Sequence, residues 1–199
     1  MYCFDHGIVW TWLYAREHVR LDPGPHGFQQ RIRTTMLAYA TAARPSRHCC
    51  PPASGGTSIL VLNSTIADNI AEAAFDPANP IGGVSHFGPA RYRSTIIANN
   101  FVAGVPQDLW AQVAFGAVVL GDDNLIEVSN APLPVDTIMA DPMLGPLADN
   151  GGRTRTHALL DGSPAIDAGN NAHNFLYDQR GPGFPRVKGL RADIGAYEY

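Results

Sequence analysis

Three segments, STIADN at 64–69, STIIANN at 94–100 and NLIEVSN at 124–130, carry the same order of residue types: an apolar pair, then a polar turn ending in Asn. Their first residues, Ser64, Ser94 and Asn124, stand 30 residues apart. A period of about 20–50 residues marks chains that stack one small unit on the next. Each copy follows a second short stretch, TSILVL at 57–62, ARYR at 90–93 and GAVVLGDD at 116–123. β-branched and apolar residues bounded by Gly, Asn and Asp read as short strands. A strand–turn–strand unit cannot bury its apolar face alone. Stacking such units at about 4.8 Å satisfies the backbone and closes a core, so the repeat predicts an all-β solenoid of short parallel strands.

Asn at matching turns suits this stack, because it tolerates the left-handed conformation and its amide can bond backbone or a neighbouring Asn. Asn69, Asn99, Asn100 and Asn130 therefore read as ladder and corner residues rather than as ligand contacts. Composition agrees: 20 Gly and 16 Pro, with only 16% charged residues, favour many turns and short strands. The net charge of −4 leaves no basic footprint for nucleic acid or anionic lipid.

The chain of 199 residues is long enough for one sizeable domain. Residues 1–52 hold six Arg against three acids, +3, while the remainder holds eight basic against fifteen acidic residues, −7. All three Cys, together with Trp10 and Trp12, also precede residue 53. We read 1–52 as a non-repeat segment, poorly ordered or outside the fold, 53–140 as the stacked coils, and 141–199 as a turn-rich C-terminal capping region of the same domain. GIVWTWLYA is too short to span a bilayer and follows Asp5 and His6 where a secretory signal has basic residues. RIRTTMLAYATAA has only a brief apolar run, so no signal peptide is visible in this chain and no transmembrane segment is expected. The adjacent Cys49 and Cys50 lack the spacing by which two thiolates reach one metal ion.

DPMLGPLADNGGRTRTHALLDGSPAIDAGN at 141–170, DQRGPGFPR at 178–186 and ADIGAYEY at 192–199 resemble the C-terminal end of the choice-of-anchor Q domain, a family of right-handed parallel β-helix proteins of microbial cell surfaces. The resemblance covers roughly residues 55–199 once the STI-containing coils are included, and leaves out 1–52. It implies a right-handed parallel β-helix, a location outside the cell or on its surface, and a terminating role for the last segment. Asp141-Pro142, Gly145-Pro146, Asn150-Gly151-Gly152 and Ser163-Pro164 make that segment a run of tight corners. Ile194, Ala196 and Tyr197 are expected to supply apolar cover near the chain end, with Asp193 and Glu198 keeping it soluble.

Parallel β-helices also include pectin lyases and polygalacturonase-like hydrolases, so catalysis has to be weighed from residues. Asp122 and Asp123 offer paired carboxyl groups, but neighbouring strand residues point to opposite faces unless they sit in a bend. N-T-D, G-H-G and R-I-K motifs are missing from the coils, and Arg91 and Arg93 have no acidic residue beside them for a lyase. Ser163 lacks a G-x-S-x-G elbow, and His157 alternates with apolar residues as a strand residue does. Arg153, Arg155, Asp178 and Arg180 read as stabilising pairs across the cap. GDDN, DGS and DQRG lack the spacing of a calcium loop. No catalytic, cofactor or metal residue is assigned. The expected function is a non-catalytic structural or adhesion-type module with surface glycans or other surface components as partners; the alternatives are a polysaccharide-active enzyme and a carbohydrate-binding module. Phe87, Tyr92, Phe101 and Trp110 discriminate, since sugars stack on exposed rings.

Overall fold

The computed structural model describes residues 30–31, 59–71 and 82–199. In chain order the strands are β1 (Gln30–Arg31), β2 (Ile59–Leu62), β3 (Thr65–Ala67), β4 (Ile70–Ala71), β5 (Val84–His86), β6 (Ala90–Arg93) and β7 (Ile96–Ala98). They continue with β8 (Phe101–Val102), β9 (Val105–Pro106), β10 (Leu109–Ala111), β11 (Val119–Asp122), β12 (Leu125–Ile126), β13 (Leu144–Ala148) and β14 (Thr156–Leu159). The described residues are all-β, with one 3₁₀ turn at Val113–Phe115 and no α-helix. Several of the short sheets are parallel: β2, β6 and β11 form one, β3, β7 and β12 a second, and β5 with β10 a third. β4 runs parallel to β8, while β8–β9 and β13–β14 are antiparallel.

The reading of 1–52 lies outside the described residues except at β1. There Gln30 and Arg31 pair antiparallel with Ala71 and Ile70, so this dipeptide joins the sheet.

The observed register departs from a uniform 30-residue period. Thr65 pairs with Ile96, 31 residues on, and Ile96 with Leu125, 29 further. Ser64 and Thr95 consequently share a role: the carbonyl of Ser64 accepts the Ile96 amide, and that of Thr95 accepts the Leu125 amide. Ser94 sits one place earlier, at the level of Asn63 and Asp123. All three take positive φ, 42°, 46° and 50°, as the bend between the two parallel sheets requires. A one-residue slip would turn every side chain to the opposite face. The register adopted instead aligns Ile66, Ile97 and Ile126, all buried, in one inner column.

Inside, Val61, Tyr92, Ile97, Leu109, Val119 and Ile126 belong to one apolar cluster. In the pairing of Tyr92 with Gly121, a Cβ on the glycine would stand 1.6 Å from the Tyr92 carbonyl oxygen, at φ 122°. Only glycine fits there.

A second cluster joins Ile96, Ala98 and Leu125 to Leu159, Ala165 and Ile194. β7 is thus buried on both faces, the inner one by the stack and the outer one by the C-terminal segment. The C-terminal segment therefore lies against a side of this sheet. The free edge of β12 is met earlier, where Ile138 exchanges backbone bonds with Asn124 and Ile126. The reason is that β7 carries apolar residues on both faces, and its outer ones need cover that stacking along the sheet cannot give.

Candidate functional site

The conspicuous polar residues converge where the C-terminal segment meets the corner between the two parallel sheets. Asn170, at the end of GSPAIDAGN, reaches three levels of that corner. Its carbonyl accepts Asn63 Nδ2 at 2.9 Å and Ser94 Oγ at 3.1 Å, and its amide N–H donates to Ser94 Oγ at 2.6 Å. Its side-chain Nδ2 donates to Asp123 Oδ2 at 2.6 Å and Asp122 Oδ1 at 3.3 Å. Asp122 ends β11 and Asp123 opens the bend that follows, and one amide group touches both.

Neither carboxylate is left to act alone. Asp122 lies 3.3 Å from Arg93 Nε, and Asp123 accepts Arg191 Nη2 at 2.9 Å. The corner is therefore a web of paired charges and amides. Among the described residues, no group of three or more His, Cys, Asp or Glu could hold a metal ion.

Two further contacts press the chain end onto the sheet. The Gly195 amide donates to the Ser94 carbonyl at 2.8 Å, and the Ala196 amide to Thr65 Oγ1 at 3.1 Å. Gly195 has φ 104°, and an added Cβ would come within 2.7 Å of Thr65 Oγ1 and 2.8 Å of Ile96 Cδ1. The glycine of DIGAYE permits this approach.

Behind it lies a buried charge cluster of Asp178, Arg180, Arg186, Asp193 and Glu198. Arg180 binds Asp178 Oδ2 through Nη2 at 2.6 Å and Nε at 2.9 Å, and its guanidinium lies between the rings of Phe184 and Tyr197, 4.2 and 3.8 Å from their centroids. Arg186 donates to Glu198 at 3.2 Å and to the carbonyls of Asp193 and Gly195. Asp193 and Glu198, expected as solubilising surface charges, are buried here. Each accepts amides of the segment: Asp193 those of Asp167 and Tyr199, Glu198 those of Asp193 and Lys188. Burial lowers the Arg186 pKa from its usual value, against the pull of the acidic groups around it. Of the residues expected to pair in this segment, Asp178 and Arg180 pair with each other.

Ser163 Oγ donates to the Pro142 carbonyl at 2.6 Å and accepts the Ala165 amide, which makes it a turn clamp. His157 is buried in β14, with Nδ1 bonded to the Gly145 carbonyl at 2.9 Å, so that nitrogen carries the proton.

The Asn reading divides. Asn69 Nδ2 donates to Asn100 Oδ1 at 2.7 Å, one level away, and Asn100 Nδ2 donates to Asp108 Oδ1 at 2.8 Å. Asn99 takes the left-handed corner at φ 58°, while Asn130 instead braces Ala111 through both its amide atoms. Asp108 ends the ladder by accepting the Val128 amide, and burial raises its pKa.

The four discriminating aromatics do not share a face. Tyr92 points inward and is fully buried, Phe101 and Trp110 are half-buried, and Phe87 is 64% exposed. Phe87 has a partner that the sequence did not suggest, Phe115, 72% exposed and 6.0 Å away centroid to centroid. β5 and β10 pair over only 25 residues, so this juxtaposition falls outside the 30-residue pattern. Asn170, Arg186 and Arg191 were likewise not singled out, since nothing local marks a residue whose partners lie far away in sequence.

Comparison with known proteins gave no matching family model, no similar curated protein and no similar solved structure. No helix among the described residues is long and apolar enough to cross a membrane.

Proposed function

We propose that the chain is a right-handed parallel β-helix module with a non-catalytic, structural or adhesion-type role outside the cell or on its surface. The β-helix reading rests on the three-level registers of β2–β6–β11 and β3–β7–β12 and on the inner Ile66–Ile97–Ile126 column. The surface location rests on the resemblance of LADNGG, GSPAIDAG, DQRG and DIGAYE to choice-of-anchor Q domains. One observation carries the non-catalytic reading: Asn170 binds all three corner levels and engages both Asp122 and Asp123. A glycoside hydrolase needs one carboxyl free to protonate a leaving oxygen and another placed as base or nucleophile. Here both carboxylates hold the chain in place, each with an Arg partner as well.

The purified chain is expected to release neither reducing ends nor unsaturated products from pectin, polygalacturonate or a wider glycan panel. Turnover that disappears in Asp122→Asn or Asp123→Asn overturns the reading.

A second reading, carbohydrate binding without chemistry, is favoured by the exposed Phe87–Phe115 pair, since rings that stand free of the core offer stacking surface to a sugar. Glycan-array binding lost in Phe87→Ala and Phe115→Ala, with unchanged stability, would establish it over the purely structural role.

A further inference from the structure

The cluster behind the C-terminal segment has an unequal charge count. Three carboxyl groups, Asp178, Asp193 and Glu198, are buried with two guanidinium groups, Arg180 and Arg186. Among the described residues Lys188 does not correct the balance, because its Nζ is exposed and donates to the Tyr199 main-chain oxygen at 2.5 Å. Fully ionised, the cluster would bury one negative charge more than its guanidinium groups balance, which a protein interior disfavours. A single bound proton makes it neutral.

The three carboxyl groups differ in how firmly their contacts hold them. Asp178 accepts four bonds of 2.6–2.9 Å, two of them from the Arg180 side chain. Asp193 accepts two backbone amides at 2.7 and 2.6 Å. Glu198 has the longest contacts, 3.1 Å from the Lys188 amide and 3.2 Å from both the Asp193 amide and Arg186 Nη1. Short charge-assisted bonds stabilise an anion most, so Glu198, although it faces only donors, is the most loosely held of the three and the one whose protonation gives up the least.

We propose that this cluster is a one-proton latch: with Glu198 protonated it holds the C-terminal segment against the β3–β7–β12 face, and loss of that proton loosens the segment. The groups facing Glu198 are Arg186 and Asp193, with Asp178 and Arg180 meeting its backbone and Lys188 contributing its amide. Burial accordingly pushes the Glu198 carboxyl up to about 7, and the charge of Asp193 adds to the rise against the pull of the amides and Arg186. Through Gly195 and Ala196, which bond Ser94 and Thr65, the cluster's own segment is tied to the sheet.

The sign follows from linkage. Between about 4.5, the ordinary value, and about 7, the folded chain holds a proton that the unfolded chain has released. The contribution of this group is therefore complete below about pH 4.5 and is lost as pH rises to about 7. Gln is a lasting mimic of the neutral acid. In urea unfolding across that range, the folding equilibrium constant of the parent should fall relative to Glu198→Gln by up to about tenfold per pH unit. Amide hydrogen exchange at Gly195 and Ala196, corrected for its intrinsic pH dependence, should quicken above pH 7 in the parent alone. Carbon NMR of the Glu198 carboxyl in the intact parent gives a reading that requires no variant to fold, and should titrate near 7. A parent-to-variant difference that is constant with pH, or a carboxyl that titrates below about 5, overturns the proposal.

Discussion

Asn170 shows how one residue gains weight from its position. Its backbone serves the Asn63 and Ser94 levels, and only its side chain serves Asp122 and Asp123. Asn170→Ala should thus cut one tie of three. We expect a loss of about 1–2 kcal/mol, the usual net worth of a hydrogen bond to a partly exposed charged group, measured by urea denaturation. A loss near zero would mean that Arg191 alone secures Asp123. Tyr92 presents the reverse case. Its hydroxyl is fully buried with no hydrogen-bond partner among the described residues, and burial raises its pKa well above the usual phenol range. An unpaired buried hydroxyl costs free energy that folding must overcome. Tyr92→Phe, which keeps the ring, should raise stability by about 1 kcal/mol, visible as a higher melting temperature; a drop would show that the hydroxyl is satisfied in solution.

Among the elements, β7 decides where the C-terminal segment goes. Its residues Ile96, Ile97 and Ala98 are all fully buried, with Ile97 in the inner cluster and Ile96 and Ala98 in the outer one. Removing residues 192–199 would strip Ile194 from that outer cluster and remove Asp193 and Glu198 from the charge cluster, leaving Arg186 buried without its Glu198 partner. The truncated protein should bind hydrophobic dyes and self-associate through the bared side, as size-exclusion chromatography with light scattering would show. A monomer of unchanged heat stability would make the segment an appendage. The stretch of tight corners, DPMLGPLADNGGRTRTHALLDGSPAIDAGN, is then chain punctuation with a purpose: its turns carry Leu159, Ala165 and Asn170 to the face and corner they cover.

At the scale of the whole molecule, the 30-residue pattern with its apolar pairs was sufficient to announce short parallel strands, because period and alternation are local properties of the chain. Corner residues were legible in part, since Asn and Asp tolerate positive φ: of the four Asn read as ladder or corner residues Asn99 adopts it, and so do Asn63 and Asp68, which that reading did not name. Their alignment was not. The sequence sets Ser64 beside Ser94, whereas packing places Ser64 beside Thr95 and gives successive offsets of 31 and 29, because bringing Ile66, Ile97 and Ile126 into register outweighs matching the letters. The buried roles of Asp193 and Glu198 were equally hidden, as a charged residue near a chain end looks solvated until something folds over it. Composition, period and turn chemistry thus determined that this protein is built of short strands and tight bends. Only the tertiary structure decided which side of the sheet the C-terminal segment would cover and which charges would meet beneath it, because those contacts join residues up to 131 positions apart, as Ala196 and Thr65 do, and no local pattern encodes such a meeting.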